Sequence, residues 1–223
     1  MAEIVKLDKV GVAGGVGLVA AAINAGYLVI LPADTVYSLT AAVFRPQDIP
    51  KIRDGNEVTP WREPVGKLYA LKGRPGRQPS IILAPDWQYA RLLARQNLDR
   101  IEEFCRRVSN PVSAVVNAKW DWRPPFTNAR GGVALRVPKG GFIKIILKFC
   151  KFAFSVSANY ARGEEPYLLG QVPATILKRS TLALDAGYSP LRKPSFIVDF
   201  TVDPPRPLRG GKELEEALLQ FWE

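Results

Sequence analysis

Residues 17–32 read Gly-Leu-Val-Ala-Ala-Ala-Ile-Asn-Ala-Gly-Tyr-Leu-Val-Ile-Leu-Pro, a stretch without a charge that Gly26 divides in two. The small and aliphatic residues before Gly26 suit a helix over 17–25, and a glycine, which tolerates positive φ, suits its C-terminus. After it, Tyr27, Leu28, Val29, Ile30 and Leu31 form a β-like run that Pro32 ends. A helix therefore feeds directly into a core strand. The charge-free run extends from Gly11 to Ala33, long enough to raise a membrane span or a signal segment. Four glycines between Gly11 and Gly17, Asn24 and the break at Gly26 argue instead for a buried helix and strand. No membrane is expected, and a cytoplasmic location is.

The same punctuation recurs along the chain. Further β-like runs cover 67–71, 80–84, 112–117, 133–137, 153–157 and 196–200, and helical periods cover 98–108, 142–150 and 212–222. Strict βαβ alternation is absent, so the pattern predicts the α+β class with α/β-like character: a twisted mixed sheet flanked by helices. Residues 54–66, with Gly, Asn, two Pro and several charges, read as an exposed loop, and 203–207 as a crossover into the last helix. With no repeat, low-complexity tract or long linker, residues 1–223 are expected to form one domain.

Composition narrows the chemistry. At 47% hydrophobic and 23% charged, 223 residues are typical of a globular chain, which buries roughly 70% of its unfolded surface and needs no disulfide staples. Cys105 and Cys150 fall at apolar-periodic helical positions and read as buried thiols of a reducing compartment. The chain has no histidine, which excludes Ser-His-Asp and Cys-His nucleophilic systems and imidazole metal sites. Lys plus Arg exceed Asp plus Glu by 31 − 21 = 10, so the surface field favours anions such as nucleotides, pyrophosphate or RNA.

A phosphate-binding loop is the first nucleotide signal to seek. The glycine-rich run 11–17 lacks a Gly-Lys-Ser/Thr ending and precedes the first strong strand, so it reads as a flexible lead-in to the first helix. Lys72 and Arg74 are more informative. Read as the end of a strand over 67–71, they converge only through a turn at Gly73-Arg74-Pro75, which would set an ammonium and a bidentate guanidinium beside one polyphosphate. Ser157 and Asn159 follow an apolar strand and offer a hydroxyl and an amide at a strand end, where such sheets place ligands. The segment Lys119-Trp120-Asp121-Trp122-Arg123 interleaves aromatics with bases and supports a competing reading, an RNA-binding module. Its alternative is a hairpin tip with tryptophans packed on a neighbouring strand.

Seven segments in order carry a family resemblance: Pro32-Ala33-Asp34-Thr35-Val36-Tyr37-Ser38-Leu39, Lys72-Gly73-Arg74-Pro75 with Gln78-Pro79, Asn110-Pro111-Val112-Ser113, Arg136-Val137-Pro138, Ser157-Ala158-Asn159, Pro194-Ser195, and Leu208-Arg209-Gly210-Gly211. Together they resemble the YrdC-like family of threonylcarbamoyl-AMP synthases. The resemblance implies a YrdC-like fold with a concave basic cleft. It also implies a reaction joining threonine, carbon dioxide or bicarbonate and ATP, with Mg²⁺, into threonylcarbamoyl-AMP and pyrophosphate for tRNA modification.

Carried over by residue, the resemblance assigns Lys72 and Arg74 to catalysis, and Lys72, Arg74, Gln78, Ser157, Asn159 and Arg209 to ATP. It assigns Thr35, Arg136, Ser155 and Ser195 to threonine, with Arg136 on the carboxylate. On the residues alone, Thr35 equally closes a turn, Arg136 equally pairs with Asp34 or Asp185, and Ser195 equally caps or packs. The implied partners are ATP, threonine, bicarbonate and downstream tRNA-modification proteins, with tRNA or double-stranded RNA under the RNA-binding reading. Departures fall at Ala33 and Ser38, at Leu83 where the family has a histidine, at Ser113, at Phe196 and at Ala161-Arg162. The ATP half is better kept than the amino-acid half, which leaves a paralogue with another acyl or carbamoyl substrate as the alternative.

Overall fold

Among the described residues ten short strands join one sheet: β1 (Glu3–Lys6), β2 (Val29–Pro32), β3 (Tyr37–Ala42), β4 (Ile81–Leu83), β5 (Val112–Asn117), β6 (Gly132–Arg136), β7 (Ala153–Ser157), β8 (Leu182–Asp185), β9 (Phe196–Asp199) and β10 (Arg206–Arg209). The structure is a computed structural model that describes residues 2–73, 75–76, 79–160 and 163–222. Strand order is β1-β8-β2-β3-β7-β4-β6-β5-β9-β10, with parallel pairs (β1 with β8, β8 with β2, β4 with β6, β5 with β9) among antiparallel ones. The predicted mixed sheet is thus found. Among the described residues eight α-helices pack on it: α1 (Leu7–Asn24), α2 (Ile49–Arg53), α3 (Arg62–Lys72), α4 (Trp87–Arg91), α5 (Asp99–Arg107), α6 (Gly141–Cys150), α7 (Ala174–Arg179) and α8 (Gly211–Trp222).

Side chains alternate along a strand, so each strand contributes to both faces of the sheet. Tyr37, Leu39 and Ala41 of β3, Phe154 and Val156 of β7, and Val133 and Leu135 of β6 share one core with Leu68 of α3, Ala90 of α4, Phe104 of α5 and Leu214 of α8. The other face behaves differently at its two ends. Ala42, Ala153 and Leu83 join Val29 and Leu31 in a second core, under Val19 and Ile23 of α1 and Ile143, Ile146 and Leu147 of α6. Burying each such aliphatic side chain contributes about 1.5–3 kcal/mol. Toward the other end of the same strands the register brings Ser38 opposite Ser157, and Ser155 between Thr40 and Ile81. The face changes from aliphatic to hydroxyl-bearing where the helices stop.

The strands expected at 80–84, 112–117, 133–137, 153–157 and 196–200 are present within a residue of those bounds, as are the three helices. Four expectations are corrected. Residues 67–71 are helical: Val65, Leu68, Tyr69 and Lys72 lie at i, i+3, i+4 and i+7 and are all buried, a period visible only over the full length of α3. Lys72 therefore ends a helix, and Gly73, at φ 62, turns the chain out of it in the left-handed conformation. The loop expected over 54–66 yields its last residues, from Arg62, to the first turn of that helix. Residues 203–207 do not cross over: Arg206–Arg209 returns antiparallel beside β9. The glycine-rich lead-in is helical as well, since α1 begins at Leu7, with a kink at Gly11 (φ 69). By length and composition alone α1 would also suffice to cross a membrane, and it packs one face, including Val16, Val19 and Ile23, into the second core.

Helix α1 ends in a Schellman turn, with Gly26 N–H donating to Ile23 O at 2.9 Å and Tyr27 N–H to Ala22 O at 3.0 Å. Gly26 has φ 82, and a Cβ there would lie 2.3 Å from the Trp61 ring. Gly26→Ala is expected to destabilise the fold by at least about 2 kcal/mol in urea unfolding, through positive-φ strain and overpacking. Burial pushes the Cys105 and Cys150 thiols up to about 12. Because the unfolded thiols ionise near 9.0, the stability they contribute is complete below that pH and is lost as pH rises toward 12. Unfolding free energy measured from pH 8 upward should fall in that window, and less in a Cys105→Ala/Cys150→Ala chain.

Candidate active site

The uncovered half of the second face floors a cavity of about 400 Å³. Thr35, Lys72, Arg136, Ser155, Ser157, Ser195 and Arg209 all line it, although they come from six separate stretches of chain. Asn159 joins the group through hydrogen bonds from Lys72 and Ser157. Arg74 and Gln78 lie outside the described residues.

Lys72 sits at the C-terminus of α3, where a cation meets the negative end of the helix dipole. Its side chain is buried, and its ammonium donates to Ser157 O at 2.6 Å, Ser157 Oγ at 3.2 Å and Asn159 Oδ1 at 3.1 Å. An ammonium has three donors, and three acceptors from one turn of chain surround this one. Ser157 Oγ donates in turn to Asn159 Oδ1 at 2.8 Å, and Asn159 Nδ2 to Gly163 O at 2.6 Å. The sequence motifs around Lys72 and Ser157-Asn159 are thus one hydrogen-bonded unit, assembled across 85 residues of separation.

A second unit forms around Arg136. Its NH1 donates to Thr35 Oγ1 at 3.2 Å, and its NH2 lies 3.4 Å from Asp34 Oδ1; all three side chains are buried. Of the two ion pairs open to Arg136, Asp34 is the one formed. Thr35 sits in the β2–β3 hairpin loop, closed by Ala33 N–H donating to Val36 O at 3.1 Å, and Asp34 Oδ2 accepts from Lys139 N–H at 3.0 Å. The Arg136 Nε makes no hydrogen bond.

The opposite wall is built from β9 and β10. Ser195 Oγ lies 2.9 Å from Ser113 Oγ, and Arg209 donates from Nε to Ser195 O at 2.9 Å and from NH2 to Ser195 Oγ at 3.2 Å. The strand-joining loop 186–195 reaches this wall by passing the hairpin, where Leu191 N–H donates to Asp34 O at 3.1 Å. Its start is held by Tyr37, whose hydroxyl donates to Gly187 O at 2.8 Å and accepts from Ala186 N–H. Burial pushes that phenol up to about 12.

Several departures from the family pattern point away from the cavity. Ala33 and Leu83 are in the second core beneath the helices, and Phe196 is in the first, on the opposite face. Ser38 does line the cavity, with its hydroxyl on Thr40 Oγ1 at 3.1 Å and Leu31 O at 3.3 Å. Ala161 and Arg162 lie outside the described residues. Two further lining groups, Asn128 and Glu165, were not singled out in the sequence. The one available signal was an acidic pair, Glu164-Glu165, shortly after Asn159 in a basic chain. The tryptophan cluster is not a free stacking surface: Trp122 is buried against Phe44 with its Nε1 on Val58 O, and Trp120 packs on the same core.

Known proteins are similar to this chain in sequence and in fold. The family model for Sua5, YciO and YrdC, described as telomere recombination, matches residues 60–211. A Mycobacterium tuberculosis protein provisionally designated a threonylcarbamoyl-AMP synthase is 29% identical over 216 residues, covering 94% of this chain and 88% of that protein. The threonylcarbamoyl-AMP synthase of Pyrococcus abyssi is 25% identical over 197 residues, 87% of this chain and 53% of its own length. In three dimensions the chain is similar to P. abyssi Sua5 complexed with L-threonine, with a TM-score of 0.76 at 22% identity, covering 97% of this chain and 60% of that one. It is also similar to E. coli YciO, with a TM-score of 0.70 at 12% identity, covering 96% and 99%. The chain thus spans little more than half the length of the Pyrococcus protein.

Removing one partner of a buried ion pair leaves the other charge uncompensated. Asp34→Asn is expected to lower stability by about 3 kcal/mol in urea unfolding. The double variant Asp34→Asn/Arg136→Met should lose less than the sum of the two single changes.

Proposed function

The chain belongs to the Sua5, YciO and YrdC family, and on that premise we propose that it is a threonylcarbamoyl-AMP synthase, a nucleotidyltransferase of the cytoplasm. The supporting observation is one cavity that unites the Lys72–Ser157–Asn159 unit with the Thr35–Arg136 and Ser195–Arg209 units. The first suits a polyphosphate. The second and third suit a small molecule carrying a carboxylate and a hydroxyl.

In this reading ATP enters with Mg²⁺ on its phosphates, as magnesium commonly does. Phosphate oxygens take over donors of Lys72 now directed to Ser157 and Asn159, with Arg74, Gln78 and Arg209 completing the nucleotide contacts. Arg136 receives the amino acid's carboxylate, while Thr35, Ser155 and Ser195 surround its side chain.

The α-amine of threonine, bound as the ammonium, gives up a proton and adds through nitrogen to carbon dioxide with loss of a second proton, or to bicarbonate with loss of water, to give a carbamate. A carbamate oxygen attacks the α-phosphorus, its bond to phosphorus forms, and the bond to the bridging oxygen of pyrophosphate breaks. The nucleophile is already an anion, so a chain without histidine is not at a disadvantage. What the adenylyl transfer requires is alignment and cancellation of charge between two anions, and Lys72 with Arg74 supplies both. The product is the activated donor for a tRNA-modifying step carried out by other proteins. The packed tryptophans lend the RNA-binding alternative no support.

Incubation with MgATP, bicarbonate and each amino acid in turn should give threonine-dependent pyrophosphate release. Lys72→Ala should reduce that rate by at least about a hundredfold, the scale of losing one preorganised charge-stabilising donor. Release that ignores bicarbonate, or none with any amino acid, refutes the synthase reading.

A further inference from the structure

Glu165 is the one carboxylate among the described residues lining the cavity, against three cationic side chains, Lys72, Arg136 and Arg209. Two hydrogen bonds fix the segment that carries it. Asn159 Nδ2 donates to Gly163 O at 2.6 Å, and Tyr37 N–H donates to Pro166 O at 2.7 Å. Glu165 is thereby pinned between the Ser157–Asn159 turn and the hairpin that carries Thr35 and Val36.

Its Oε2 is closed off from solvent and has no hydrogen-bond partner. Its carboxylate forms no salt bridge among the described residues. A carboxylate oxygen so placed is unfavourable by itself and is compensated when a cation meets the group. The remaining charged groups of the wall are themselves cations, each held by other acceptors.

Within the reaction proposed above, nucleotide, bicarbonate and carboxylate are anions, and the substrate's one cationic group is the α-ammonium. We infer that Glu165 recognises the α-ammonium of the amino acid, while Arg136 holds its carboxylate, so that the cavity selects free amino acids over hydroxy acids and N-acylated ones. The inference rests on the synthase reading. Magnesium is the other cation present, but it keeps several waters of its own and fits poorly against an oxygen that solvent does not reach.

Calorimetric titration with L-threonine, with its desamino analogue 3-hydroxybutanoate and with Mn·ATP, on the wild-type chain and on Glu165→Gln, tests this. Threonine affinity should fall by at least about tenfold in the variant, the loss of one charge-assisted contact. Affinities for 3-hydroxybutanoate and Mn·ATP should stay unchanged, and the latter also reports that the variant is folded. Three outcomes overturn the inference alone: threonine bound equally by both chains, threonine and its analogue weakened alike, or a loss confined to Mn·ATP. A wild-type chain that binds Mn·ATP but not threonine overturns it together with the synthase reading.

Discussion

The organising constraint of this molecule is that helices cover all of one sheet face but only part of the other. Because side chains alternate, every central strand must be apolar on one side along its whole length, while its other side changes character midway. Strand β7 displays both demands in five residues: Phe154 and Val156 face the continuous core, Ala153 sits under α6, and Ser155 and Ser157 reach the open cavity. A slip of one residue would bury both serines and expose both apolar side chains. Register and site are therefore one property, and the same hydrophobic ordering that stabilises the sheet delivers hydroxyls to the cavity floor.

Legibility in the sequence follows from this arrangement. Strands such as Val112–Asn117 and Ala153–Ser157 were readable because their apolar runs are compact and flanked by turn residues. Tyr37–Ala42 was not, because a strand with Ser38 and Thr40 on the cavity side and small residues elsewhere lacks a strong β signature, though all six residues are buried. Helix α3 escapes a local reading because five residues of it, Lys67 to Leu71, pass for a strand when the period of the whole element is left out.

Most of the described candidate residues line one cavity, whatever element carries them. Lys72, read at the end of a strand, ends a helix instead, and its ammonium meets Ser157 and Asn159. The role of Arg136 was open between ion pair and ligand contact, and no local pattern indicates that a hairpin 101 residues away supplies Asp34 and Thr35 as its partners. Glu165 had no periodicity to mark it. Its place depends on a local contact, Asn159 with Gly163, and on a distant one, Tyr37 with Pro166, and the second is information that a one-dimensional reading does not contain. The departures at Ala33, Leu83 and Phe196 took on meaning only with the faces assigned, since all three belong to the packed interior.

The hydrogen bonds of Lys72 have an entropic side. A lysine forfeits up to about 2 kcal/mol of rotamer freedom when it is fixed. Here Ser157 and Asn159 immobilise it as the chain folds, so that loss is charged to folding and little of it remains to oppose an incoming anion. The ammonium is held in one place, with its donors directed to Ser157 and Asn159. Lys72, Asn159 and Gly163 are joined in series, so the ammonium and the segment bearing Glu165 are held by the same chain of hydrogen bonds.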